Sequence, residues 1–176
     1  MENTSSAGSY RRFNESEIES LLVDCHKYIP QTLLAKAKDV RDACAILLAI
    51  VHNLRPCQIV ALDLRNFERG MGEHGALVFY DSNSDLQIIV DLTPKTRVAL
   101  DHWLTLRGLL NPQTQALFIG LHHGWRAEAR PFGERLTTRG LRASFDYRQQ
   151  ALNMKRERRS LDSLRQQRAK KLRRKN

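Results

Sequence analysis

Cysteine is scarce in this chain and nowhere closely spaced. Cys25, Cys44 and Cys57 stand far apart, and no Cys-x-x-Cys occurs, which sets aside a disulfide framework and a zinc ribbon. Two of the three fall within apolar helical patterns, so the cysteines read as reduced, buried thiols of a cytoplasmic protein. The six histidines, His122 and His123 among them, lack cysteine or carboxylate neighbours at ligand spacing, so no metal is expected. Long hydrophobic runs are missing too. The longest, Ala43 to Val51, falls well short of the roughly 20 residues that span a bilayer, and the first residues do not read as a charged-then-apolar leader. No phosphate-cradling glycine loop, nucleophile elbow or paired-carboxylate motif is present. The expectation is therefore no cofactor, no small-molecule substrate and no membrane.

Basic residues are sparse in the first two thirds of the chain and crowd into the last third. The net charge is +10 over 176 residues, but it is unevenly spread. Residues 1–125 carry 12 Lys and Arg against 14 Asp and Glu, a net of −2, whereas residues 126–176 carry 17 against 5, a net of +12. Such segregation points to a polyanionic partner, most often nucleic acid. Lys155, Arg156, Arg158, Arg159, Arg165, Arg168, Lys170, Lys171, Arg173 and Arg174 recur around a helix rather than on one face. That pattern neutralises phosphates without an evident means of reading bases. No aromatic residue follows Tyr147, which argues against stacking on single strands. Arg139 and Arg142 share one helix face and are expected to add backbone contacts.

What the chain does have is a centre, Val40 to Leu64. Val40, Ala43, Cys44, Leu47, Leu48 and Val51 recur at helical spacing and predict one buried face. Asn53 suits a left-handed helix end, and Pro56 suits the first turn of a following helix. Between them Arg55 is flanked by apolar residues. A guanidinium desolvated at such a junction needs a partner. Either it pairs with an internal acid, or it faces a cleft that receives an anion such as phosphate.

Around this centre, residues 1–12 read as a disordered tail, and Phe13 to Tyr28 as a helix capped by Asn14 or Ser16. Residues 29–39 read as a connector and 66–75 as a loop. Ala76–Tyr80 and Leu86–Val90 predict a hairpin. Thr93 and Pro94 open a helix that carries Val98, Leu100, Trp103, Leu104 and Leu106 inward and ends at Gly108. Leu117–Ile119 forms a short buried strand or turn, and residues 122–134 a loop. Thr137 caps a helix running to about residue 152, and a second, basic helix begins near 158.

Arg41-Asp42 before the apolar helix, then Asn53-Leu54-Arg55-Pro56-Cys57-Gln58-Ile59 and Leu62, resembles the first catalytic-arginine box of the tyrosine recombinases, or phage integrases. That box usually reads Gly-Leu-Arg-x-Ser-Glu-Leu. Here Asn53 replaces the glycine, Cys57 the serine and Gln58 the acid. The helix opening at Phe13-Asn14-Glu15-Ser16, the run Asp91 to Leu100 after the hairpin, and the Thr137-capped helix are similar to the family's sequence of elements. The resemblance covers residues 13–145 and reaches 146–176 only through Asp162-Ser163-Leu164-Arg165-Gln166, an echo of the second box, His-x-Leu-Arg-His. It implies a mainly helical α+β fold, a bundle like the recombinase catalytic domain with a small antiparallel hairpin or three-stranded sheet at one edge. The implied organisation is a tail at 1–12, a core at 13–152 and a basic helix or tail at 153–176.

The family's reaction uses two arginines on the scissile phosphate, a hairpin lysine and a tyrosine nucleophile, in a transition state stabilised electrostatically with acid–base help. By this resemblance Arg55 and Arg165 are the phosphate-binding candidates. No lysine lies between Phe67 and Thr93, Lys95 reads as a surface residue, and the last tyrosine, Tyr147, precedes the second-box echo. The chain is thus expected to bind duplex DNA without cutting it, linked to recombination or integration of a mobile element. Self-association or a partner recombinase that restores cleavage is an alternative. A third reading is an interaction protein whose basic tail binds RNA or an acidic partner over a vestigial core.

Overall fold

The computed structural model describes residues 13–25, 33–81, 86–121, 133–152, 154, 160–164 and 166. The first helix, α1 (Glu15–Asp24), starts at Asn14, whose side chain accepts from the Glu17 amide while Glu17 Oε2 accepts from the Asn14 amide, both at 2.8 Å. This reciprocal cap satisfies two donors that the first turn would leave orphaned. Next comes α2 (Leu33–Val51), which begins well before the expected Val40 and takes in most of the stretch read as a connector. Every residue from Arg41 to Ile50 is buried, so α2 is buried on all sides rather than on one face. A helix sheathed by neighbours tolerates apolar residues all round, and its neighbours are α3 (Pro56–Ala61), α4 (Pro94–Leu110) and α5 (Thr138–Ala151).

The sheet lies between α3 and α4 in the chain and has three antiparallel strands, β1 (Phe67–Glu68), β2 (Ala76–Asp81) and β3 (Leu86–Asp91), in the order β1-β2-β3. Phe67 pairs with Leu77, and Phe79 with Ile88. The short β1, with a 3-10 turn at Leu64–Asn66, occupies residues expected to be loop. Leu77 and Phe79 face the core, whereas Tyr80, Leu86 and Ile89 are exposed.

Helix α4 is capped by Thr93 with Pro94 in its first turn. It runs through Gly108 and stops at Asn111, which takes a left-handed conformation with φ 46°. Leu100, Trp103 and Leu106 are buried as expected, but Val98 is exposed because it faces away from α2. Trp103 donates to the Leu117 carbonyl at 2.9 Å and stacks on Phe118 with ring centroids 6.4 Å apart. Residues 116–119 are fully buried and join their surroundings through isolated bridges, Asp63 to Ala116 and Ile119 to Arg135. Leu161 and Leu164 belong to the same core.

Four arginines act as internal fasteners. The guanidinium of Arg41, fully buried, donates to Asp42 in its own helix, to the Ile119 carbonyl at 2.8 Å and to Ser144 Oγ at 3.4 Å. Arg148 joins α5 to Asp24 of α1 and to the Asp39 carbonyl of α2. Arg107 donates to the carbonyls of Thr114 and Ala116. Arg135 donates to the carbonyls of Val60 and Leu62 and to Asp63. These planar multidentate donors tie backbone carbonyls of one segment to side chains of another. Replacing Arg41 by alanine leaves the buried Asp42 carboxylate without its counter-charge, which is expected to lower unfolding free energy by about 3–5 kcal/mol, measurable in urea titrations. A loss below 1 kcal/mol would show that Arg41 is not a fastener.

Candidate nucleic-acid interface

The site is built from the way α2 stops. Asn53 adopts φ 58°, and the Leu54 amide turns back to the Leu48 carbonyl at 3.2 Å. The chain then runs extended through Arg55 (φ −73°, ψ 147°) into α3. Extended residues alternate in direction. Leu54 and Pro56 are both buried, so the side chain between them points outward, and Arg55 is exposed. Arg55 is thus not buried as its apolar flanks suggest, and of its two alternatives the internal ion pair is not found: among the described residues no acid pairs with it. The buried guanidinium near this helix is Arg41 instead. At the third position of α3, Gln58 accepts the Arg55 amide at 2.9 Å, so the helix start is capped without placing a carboxylate beside Arg55. Cys57 is exposed, again by its place on the outer side of α3, whereas Cys25 and Cys44 are buried. Burial pushes the Cys25 thiol up to about 12 and raises Cys44 as well.

The second wall is α5. Thr137 accepts from the Gly140 amide at 3.0 Å. Leu141, Ser144 and Phe145 point inward, while Arg139 and Arg142 are exposed one turn apart on the outer side. The helix packs on α3 and α2. Arg135, two residues before the cap, bonds the carbonyls at the end of α3 and so fixes where α5 begins relative to α3. Three exposed guanidiniums thus stand at the cap of α3 (Arg55) and on α5 (Arg139 and Arg142), two helices that touch. Arg142 Nη2 lies 3.2 Å from Asp162 Oδ2; Arg55 and Arg139 have no acidic partner among the described residues. Lys95 is a surface residue, as expected.

The opening of α5 also holds something the sequence reading did not weigh. Arg139-Gly140-Leu141-Arg142-Ala143 keeps Leu and Arg at the spacing of the second recombinase box, directly after a capped helix start. Of Asp162-Ser163-Leu164-Arg165-Gln166, Leu164 is buried and Asp162 meets Arg142. Arg165 lies outside the described residues, as do Lys155, Arg156, Arg158, Arg159, Arg168, Lys170, Lys171, Arg173 and Arg174.

Helix bundle, edge sheet and the arginine turn between α2 and α3 together define the fold of a tyrosine recombinase catalytic domain. The structure is similar to the XerH site-specific recombinase bound to difH substrate in a pre-cleavage complex, with a TM-score of 0.71 and 18% identity over 94% of this chain and 43% of that one. A post-cleavage complex of XerH with palindromic difH substrate gives 0.72 and 18% over 99% of this chain and 45% of that one. The XerA recombinase gives 0.68 and 14% over 94% and 51%. This chain therefore spans about half the length of these structures. No family model matches the sequence, and no curated protein matches it.

Close to Arg55, His52 Nε2 lies 3.0 Å from Thr96 Oγ1, which lies 2.9 Å from Thr93 Oγ1 at the cap of α4. Burial lowers the His52 pKa below its usual 6.5. The folded state therefore favours neutral imidazole, and the unfolded chain takes up the proton first as pH falls. Stability is fully present above about pH 6.5 and declines as pH drops below it toward the folded-state value. His102 is lowered too, by burial and then by Lys36, so His52→Gln is expected to flatten this decline in part, seen as a smaller loss of melting temperature between pH 7 and pH 5. An unchanged slope would remove His52 from the account.

Proposed function

We propose that this chain binds duplex DNA through phosphate contacts from Arg55, Arg139 and Arg142, as a recombinase-like protein that does not cleave DNA by itself. The observation that carries the reading is the trio of exposed guanidiniums at the cap of α3 and on α5, two helices that pack together and are joined by Arg135, on a recombinase-like fold. Arginine suits the task because its planar fork meets phosphate oxygens bidentately. Arg142 takes the part of the second phosphate-holding arginine. Arg165 and the neighbouring Lys and Arg residues after 152 supply further, sequence-independent contacts.

Lack of cleavage rests on the hairpin. No lysine or arginine occurs from residue 70 to residue 94, so β2 and β3 offer no cationic acid to a leaving oxygen. Strand cutting at its site then falls to a partner recombinase, and the role is accessory or regulatory in recombination or integration of a mobile element. The proposed place of action is the cytoplasm, in keeping with the free thiols of Cys25, Cys44 and Cys57. Among the described residues no helix is long and apolar enough to cross a membrane.

Fluorescence anisotropy with labelled duplex across a salt series tests the reading. Arg55→Ala and Arg142→Ala are each expected to weaken binding and to reduce the slope of log K against log salt by about 1. The uneven charge favours one other reading, a basic tail that binds RNA or an acidic protein beside a vestigial core. Unchanged affinity and slope in both variants, with binding lost when Lys170, Lys171, Arg173 and Arg174 are replaced by glutamine, would establish that reading instead.

A further inference from the structure

Resting on that reading of Arg142, we infer that Asp162 is an internal competitor for the DNA phosphate at this arginine. The turn that carries it is firmly seated. Ser160 and Ser163 cap one another, with the Ser163 amide 3.1 Å from Ser160 Oγ and the Ser160 amide 3.2 Å from Ser163 Oγ. Leu161 and Leu164 on either side are buried in the main core, at 1% and 0% exposure. Asp162 is therefore delivered to one place, with its Oδ2 3.2 Å from Arg142 Nη2.

Three features mark the contact as a competition rather than a fastener. Both side chains are solvent-accessible, 56% for Arg142 and 34% for Asp162, and an ion pair so exposed adds little to folding. It is a single oxygen on a single nitrogen, unlike the multidentate bonds of Arg41 and Arg135, and leaves the guanidinium incompletely used. And Asp162 is the one acid among residues 160–176, which hold seven Lys and Arg; its charge opposes an approaching phosphate where everything else in the segment attracts it. Arg55 and Arg139 have no such opponent among the described residues. DNA entering the α3–α5 face must displace the carboxylate or tolerate it beside a phosphate, so the site is weakest when the 160–164 turn is docked.

The test is a double-mutant cycle on the full chain, by duplex anisotropy at fixed low salt. Asp162→Asn keeps the shape and removes the charge; it is expected to tighten binding roughly two- to fivefold, the size of one exposed charge pair. In the Arg142→Ala background the same change is expected to have no effect. Unchanged or weaker binding by Asp162→Asn alone would overturn the inference and make Asp162 a positioning group for Arg142. A gain that persists without Arg142 would overturn it as well, as a general charge effect. Arg142→Ala binding like the parent would instead remove the underlying assignment of Arg142 to phosphate.

Discussion

The structure depends on a charge kept out of water. Arg41 sits in the most buried helix and reaches three separate parts of the chain: its neighbour Asp42, the carbonyl of Ile119, and Ser144 on α5. Desolvating a guanidinium costs several kcal/mol, on the order of what a whole domain has in net stability. The cost is met only when the carboxylate, the loop carbonyl and the hydroxyl are all in place. Arg41 therefore fixes one arrangement of α2, the 116–119 segment and α5 and penalises others. The apolar packing around it, which is less selective in direction, fills the remaining space.

Arginine is used in two opposite ways within a short distance. Arg41, Arg107, Arg135 and Arg148 spend their donors on backbone carbonyls and acids inside the fold. Arg55, Arg139 and Arg142 face solvent. The difference follows from local backbone, not from neighbours in sequence. An extended residue between two buried ones must point out, and so must helix positions opposite Leu141, Ser144 and Phe145. The inward set fixes the helices on which the outward set is displayed. Gln58 fits the same logic, since it caps α3 with a neutral amide and leaves the charge of Arg55 unopposed.

Much of this could be read from residues whose preference is local. The Asn53 turn, Pro56 at the start of α3, the Asn14 and Thr93 caps, the Thr137 cap and the hairpin all stand where side-chain chemistry puts them. What escaped were features decided by tertiary contact. The exposure of Arg55 reverses what its apolar flanks suggest, because flanks do not reveal which way an extended residue faces. Gly108 was expected to end α4, but Leu106 and Arg107 are held in the core and carry the helix on to Asn111. The connector before α2 became helix because its Ala37 packs fully buried in the core. The Leu141-Arg142 pair at the start of α5 stands beside α3, whereas Arg165 of the similar pair further along lies outside the described residues.

The most direct measurement is hydrogen–deuterium exchange of the full chain with and without duplex DNA. The account predicts slowed exchange at the turn from Asn53 to Gln58 and in the first two turns of α5, alongside any change in the basic segment. Protection confined to residues beyond 152, with the arginine turn and α5 exchanging as in the free protein, would contradict it.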